Sequence, residues 1–333
     1  MVEQLIRNQQ VNGSSPFGGS FLIKPVVLMR LVLTLLLTSL MLFPTLTFAQ
    51  NPVGFDFLRT FVGARPSAMA GAFVAVPGDI HNLVYNPAGL ASVNKRQGTL
   101  TYLNHLLDFQ SGFLAYAQPF YKGTFAAGIH FFDYGQFEGK DESNQDTGEF
   151  GSSSLTLTLS YARPLVSNLA AGASAKLIRF QIDEFSETAL AADLGVVYSF
   201  PSQMLNFGLG VFNLGTTTSA FIETKDELPL NFQFGASKRL EHLPLMVSAA
   251  LVKFKGEGID FRVGGEFSMT EQLSLRLGYN SSGQDQKVDS SKDRLAGVSF
   301  GLGFKVKTFD VDYSFSSFGE VGGLNRITLM GQF

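Results

Sequence analysis

SLTLTLSY, residues 154–161, decides how the chain is read. Leu155, Leu157, Leu159 and Tyr161 alternate with Thr156, Thr158 and Ser160, and a period of two puts the two sets on opposite faces of a strand. The pattern recurs outward in both directions. Leu230, Phe232 and Phe234 alternate with Asn231, Gln233 and Gly235, and Ile259, Phe261, Val263 and Phe267 with Asp260, Arg262, Gly264 and Glu266. Leu273, Leu275, Leu277 and Tyr279 stand against Ser274, Arg276 and Asn280, and Phe309, Val311, Tyr313 and Phe315 against Asp310, Asp312 and Ser314. Strands of about 9–12 residues with one apolar face suit a tilted crossing of a bilayer.

Counting such stretches predicts an all-β fold, a transmembrane antiparallel β-barrel of about 14 strands. They start near Thr99, Gly112, Thr124, Ser153, Leu169, Ala189, Leu205, Leu230, Leu245, Ile259, Gln272, Leu295, Thr308 and Asn325. The connections alternate in length: residues 104–111, 135–152, 183–188, 214–229, 281–294 and 317–324 read as longer, with short turns between them. Long loops outside and short turns inside place both chain ends in the periplasm. Only residues 255–258 are shorter than their side predicts.

Composition agrees. The 333 residues are 45% hydrophobic, yet apart from one segment near the N-terminus no apolar run approaches the roughly 20 residues of a membrane helix. A net charge of −3 gives no reason to expect nucleic acid as a partner. Cys 0 excludes disulfides and thiolate metal sites, and His81, His105, His130 and His242 lack metal-ligand spacing, so no cofactor or metal is expected.

The predicted organisation is a leader and signal peptide over 1–49, an N-terminal hatch over 50–97 and the barrel over 98–333. Lys24 and Arg30 precede an apolar run from Leu31 to Phe43, and Thr47, Phe48 and Ala49 provide a small-residue cleavage site, with the cut after Ala49. The leader ahead of Met29 raises Met29 as the start codon. The hatch is read from residues 55–90, which are rich in Gly, Ala and Ser from Gly63 to Val76 and so suit close packing inside something else. Tyr85, Asn86, Pro87, Ala88 and Gly89 form a rigid corner, because Pro87 fixes its own φ and pushes Asn86 out of the helical region.

Inward-facing Arg262, Glu266, Arg276, Lys305, Asp310, Asp312 and Arg326 are expected to pair across neighbouring strands, Asp310 and Asp312 with Lys305 and Arg326. Asp141, Glu142, Asp146, Glu149, Asp183, Glu184, Glu187, Glu223, Asp226 and Glu227 make the outward loops acidic. A hydrolase would need a Ser or Thr nucleophile beside a His base; His130 is the candidate within a strand and has no neighbouring Ser, so the expectation is a protein that is not an enzyme.

GARPSAMAGAFVAV (63–76) followed by NLVYNPAGL (82–90) resembles the PorV/PorQ family of outer-membrane proteins, related to the FadL hydrophobic-compound transporters. The likeness extends through residues 123–142, 159–165, 190–198 and 236–244, where it looks more like PorQ. Ala70 stands where the motif usually has Gly. The resemblance implies a fourteen-stranded barrel with a lumenal hatch and a role in type IX secretion and cargo surface attachment. Its implied partners are the translocon, attachment-complex proteins and cargo C-terminal domains, besides outer-membrane lipid. It points to Gly63, Ala64, Arg65, Pro66, Ser67, Gly71 and Tyr85 to Gly89 as the hatch motif with a binding role. The ending Ile327, Leu329 and Phe333 looks like the C-terminal signal recognised by the barrel-assembly machinery, with Phe333 as its key residue. The alternative function is a FadL-like channel for hydrophobic small molecules.

Overall fold

A computed structural model describes residues 54–104, 109–140, 143, 145–219, 225–286 and 294–333. The predicted export segment and its cleavage site lie outside the described residues, as do Met29, His105, Asp141, Glu142 and Glu223.

Alternation produces an inside-out arrangement. Leu155, Leu157 and Leu159 are 38–54% exposed, whereas Thr156, Thr158 and Ser160 are 3–6% exposed. Apolar side chains thus face outward to lipid and small polar ones face inward, as a membrane barrel requires. Among the described residues the strands are β1 (Gln97–Asn104), β2 (Gln110–Phe120), β3 (Gly123–Lys140), β4 (Asp146–Val166), β5 (Leu169–Ile182), β6 (Phe185–Phe200) and β7 (Leu205–Thr217). They continue with β8 (Asn231–Arg239), β9 (Leu245–Phe254), β10 (Ile259–Ser268), β11 (Leu273–Asn280), β12 (Val298–Val306), β13 (Phe309–Ser317) and β14 (Gly323–Gln332). Each pairs antiparallel with its sequence neighbours, and β1 closes on β14 from Gln97↔Gln332 to Asn104↔Asn325. Closure leaves no sheet edge to satisfy, which is the condition for strands to stand in hydrocarbon.

Two predicted long connections are corrected. β3 runs to Lys140 and β4 starts at Asp146, seven residues before the expected Ser153, so most of 135–152 is paired ribbon. A register shift between Asp133 and Gln136, with Gly135 at φ 76°, turns the ribbon and breaks the alternation that a reader of the sequence follows. Likewise β5 and β6 meet through Asp183 and Glu184 alone, where residues 183–188 read as a longer connection. Both hairpins are longer than the roughly 9–11 residues a tilted crossing needs, so they stand out beyond the bilayer. On the opposite side the β2–β3 turn is Tyr121–Lys122, both at positive φ, the geometry that matches strand twist in a two-residue hairpin.

Residues 54–96 lie inside the ring. They form a 3₁₀ turn (Asp56–Arg59), helix α1 (Ala64–Ala68), helix α2 (Asn82–Tyr85) and a 3₁₀ helix (Pro87–Ser92). α1 packs on β11 to β14, while Pro87–Ser92 packs on β3 to β6, so the segment bridges opposite walls. Among the described residues its apolar side chains build four clusters with the barrel interior: Phe55 and Phe57 with Phe132 and Ile178; Val62, Ile80, Leu83 and Leu90 with Phe113 and small alanines; Met69, Phe73 and Tyr85 with Met246; and Val74 with Phe212 and Ala250. Apolar burial inside the barrel therefore centres on this segment, with a few inward-facing apolar residues of the wall packed against it, since most apolar strand residues face lipid.

Candidate functional site

Arg65 is the lone charge in a run of small residues, and α1 aims it at the wall. Its Nε and Nη2 bind both oxygens of Glu266 on β10 at 2.7 and 2.8 Å, a two-pronged pairing suited to guanidinium geometry. Its Nη1 lies 2.7 Å from Asp79 Oδ2, and the group sits over the Phe73 ring. Asp79 accepts from the His81 backbone N–H at 2.8 Å and contacts His81 Nδ1 at 2.7 Å. Glu266 also takes Arg276 Nε at 2.7 Å, and Arg276 Nη1 reaches Asp312 at 2.5 Å. The result is a line of alternating carboxylates and guanidiniums, Asp79–Arg65–Glu266–Arg276–Asp312, with His81 in contact at its first member, running from the inner segment across β10 and β11 to β13.

Electrostatics in the inner segment follow from that line. Burial alone would raise the Asp79 carboxyl, but its contacts with His81 and the Arg65 guanidinium outweigh it and hold the group well below the usual carboxylate range. For Arg65 burial opposes the charge, and Glu266 with Asp79 more than restores it, leaving the guanidinium more firmly protonated than usual. Burial pushes the Tyr85 hydroxyl up to about 12, so it stays protonated and donates to Val62 O at 3.0 Å while accepting from Val62 N at 3.0 Å.

The corner at Asn86 is held from both sides. Asn86 Nδ2 donates to Val74 O at 2.7 Å and to Val196 O on β6 at 3.2 Å, and its Oδ1 accepts Ala88 N at 3.1 Å, capping the 3₁₀ helix that Pro87 opens. Gly195 of β6 lies directly under this group; a Cβ there would overlap Asn86 Oδ1. Gly278 of β11 has the same relation to the Met69 backbone, so glycine on the wall lets the inner backbone approach.

Of the residues picked out in the sequence, Gly63 precedes α1 at φ 78° and Ala64 N donates to Thr328 Oγ1 on β14 at 2.8 Å. Pro66 and Ser67 are buried within α1, and Gly71 turns at φ 72° beyond it. Tyr85, Asn86, Pro87, Ala88 and Gly89 are buried on the far side of the segment. Tyr85 links the two groups, its hydroxyl meeting Val62 next to Gly63, while Asn86 to Gly89 pack on the opposite wall from α1. Phe333 lies apart, its N–H donating to Arg96 O at 2.9 Å and its ring edge-on to Phe309. The sequence reading does not single out Asp79 and takes His81 only as a histidine without metal-ligand spacing; the signal available is an Asp-x-His within an apolar stretch that also carries an unmatched Arg.

Lys305 does stand directly opposite Asp310 across β12 and β13, whereas the expected partners of Asp312 and Arg326 need correction. Asp312 is taken by Arg276 from two strands away, Lys305 is exposed at the turn end of β12, and Arg326 binds Phe61 O and Ser316 Oγ instead of a carboxylate. Arg276 wins because Gly303, the residue of β12 opposite Asp312, leaves room for its guanidinium to cross.

A family model described as type IX secretion system membrane protein PorP/SprF matches residues 81–320. The chain belongs to the PorP/SprF family. The match bears out the sequence resemblance at the level of a type IX secretion membrane protein and names PorP/SprF where the segments suggested PorV/PorQ. No curated protein sequence matches this PorP/SprF chain. Among solved structures it is similar to the toluene transporter TbuX of Ralstonia pickettii, with TM-score 0.58 and 15% identity over 82% of this chain and 98% of that one. It is also similar to the toluene transporter TodX of Pseudomonas putida (0.55, 14%, 81% and 96%) and to a FadL homologue of Pseudomonas aeruginosa (0.52, 13%, 82% and 98%). At such identities the likeness is one of fold.

Proposed function

We propose that this PorP/SprF protein is a non-enzymatic outer-membrane component of type IX secretion that serves cargo export and surface attachment in the manner of PorQ and PorV. The family match across residues 81–320 carries the reading. Support comes from a lumen occupied by a segment tied to opposite walls, an arrangement suited to a docking scaffold better than to a water-filled pore. In this reading Gly63 to Ser67, Gly71 and Tyr85 to Gly89 are the hatch motif and position the face offered to secretion-machinery and cargo partners. Asp79, His81 and Thr99 stand in the order of a hydrolytic triad, with His81 Nε2 3.5 Å from Thr99 Oγ1. All three are no more than 3% exposed and the ring packs beside Phe113, so a substrate carbonyl has no approach to them and a structural role fits best.

A second reading, a conduit for hydrophobic small molecules, is favoured by the fold likeness to the toluene transporters and by a cavity of about 790 Å³ with Phe61, Phe254 and Phe318 in its wall. One paired experiment separates them. In a deletion strain complemented with wild type or with Asn86→Ala/Pro87→Ala, surface cargo and uptake of an aromatic hydrocarbon are measured side by side. The secretion reading expects folded barrel in both strains, reduced cargo display in the double variant and unchanged uptake. Normal cargo display in the uncomplemented deletion would remove it.

A further inference from the structure

Among the described residues the charge account of the barrel interior leaves one guanidinium over. Lys176 is matched by Asp193, Arg262 by Asp260, Arg59 by Glu257, and Arg65 and Arg276 by Glu266 with Asp79 and Asp312. Arg326 is 1% exposed, yet among the described residues its partners are the Phe61 carbonyl and the Ser316 hydroxyl, both at 3.1 Å. Burying a cation without an anion is costly, and intramembrane ionisable groups kept in that state mark functional positions.

Arg326 lines the cavity of about 790 Å³ at the end of the barrel carrying the longer connections, a size that holds a small ligand. Ser316 there accepts from both Arg326 Nη1 and Ser299 Oγ, so its own hydrogen is left to donate. Arg326 keeps Nη2 without a partner among the described residues. Two kinds of donor thus converge on one spot. Among the described residues the other charges lining the cavity cancel as Arg262–Asp260 and Arg59–Glu257 pairs, and these guanidiniums lie over the Phe61 and Phe254 rings, making apolar walls. One net positive charge suits a monoanion, and the nearby Asp260 and Glu257 oppose a dianion such as phosphate.

We infer that Arg326 and Ser316 form a carboxylate-recognition subsite for a ligand with an apolar body, supplied by a free organic acid or by the C-terminal carboxylate of a peptide. The inference stands whether the protein serves secretion or uptake. The test uses the full chain in lipid nanodiscs and calorimetric titration with hexanoate against hexanamide, and with acetyl-Leu-Phe as free acid against its C-terminal amide. At least one acid is expected to bind tenfold or more tighter than its amide; which pair shows the preference identifies the source. Arg326→Gln should abolish that preference, Arg326→Lys should keep part of it, and Ser316→Ala should weaken it severalfold. No acid-over-amide preference in either pair, or a preference unchanged in Arg326→Gln, overturns the inference. Should Arg326→Gln not reach the folded, heat-modifiable form, the wild-type acid-to-amide ratios and Ser316→Ala decide it: a preference that Ser316→Ala leaves intact counts against the subsite.

Discussion

At the scale of single residues, the inner segment carries strain where its sequence departs from the motif it resembles. Ala70, standing where Gly is usual, has φ 51°, and Gly71 after it has φ 72°. A left-handed Ala costs about 1–2 kcal/mol, but Ala70→Gly also gives up a buried methyl worth about 0.8 kcal/mol and adds about 0.5–1 kcal/mol of chain entropy. The variant should therefore unfold in urea within about 1 kcal/mol of wild type. Gly71→Ala differs, because its Cβ would lie 2.7 Å from the Phe61 ring as well as at positive φ, and about 2–4 kcal/mol of destabilisation is expected. Equal unfolding curves for the two variants would refute the account. Asp79 supplies a pH test. Its carboxyl is held below its unfolded value of about 3.9, so the stability it contributes is present above that value and lost only as pH falls through the lower, folded one. Protease resistance of residues 54–96 should be unchanged between pH 7 and 5, while Asp79→Asn, which strips a buried partner from Arg65 and His81, should lower resistance at pH 7 by an opening free energy of about 3 kcal/mol. Loss of wild-type resistance already at pH 5 would contradict this assignment. The sequence displayed Arg65 as an oddity among small residues, but its partner Glu266 is two hundred residues away, and only barrel closure brings them together.

At the scale of elements, strand starts were readable to within three residues wherever apolar and small polar side chains alternate without interruption, as at Leu169, Leu205, Leu245 and Ile259. Reading failed where pairing continues beyond the bilayer. Outside lipid neither face of a ribbon must be apolar, so the segment around Gly135, Gly139, Gly148 and Gly151 keeps its hydrogen bonds without keeping the pattern. Polarity of the connections survived this error, because an extended ribbon and a long loop occupy the same side. A peptide tag placed between Lys140 and Asp146 should thus be reached by antibody on intact cells, at the tip of the β3–β4 ribbon. One placed among Glu241 to Leu243, in the β8–β9 turn, should be reached only after the outer membrane is opened. Labelling in the reverse order would invert the assignment of sides.

For the molecule as a whole, the decisive contact is between its two ends: β1 and β14 pair over eight residues, and without that ladder each of these two strands would present an open edge to lipid. Alternation predicts how many strands there are but does not by itself say that the first meets the last; the export segment, the strand lengths and the resemblance to fourteen-stranded outer-membrane proteins point to that. Phe333 extends the ladder by one bond to Arg96 O, and its ring is 66% exposed against Phe309, at the rim where aromatic residues face the bilayer boundary. A Glu at such a rim costs a folded barrel only about 0–1 kcal/mol, since charge penalties fall off toward the interface. Stability and assembly can therefore be told apart. Phe333→Glu, purified and refolded, should unfold in urea within about 1 kcal/mol of wild type, whereas in cells the heat-modifiable, folded form in the outer membrane should fall severalfold. The shortfall should appear as unassembled chain in the periplasm, because export precedes closure. Equal amounts of folded protein in the two strains would mean that the last residue only decorates the rim; a large loss of stability in the refolded variant would mean that it holds the barrel shut.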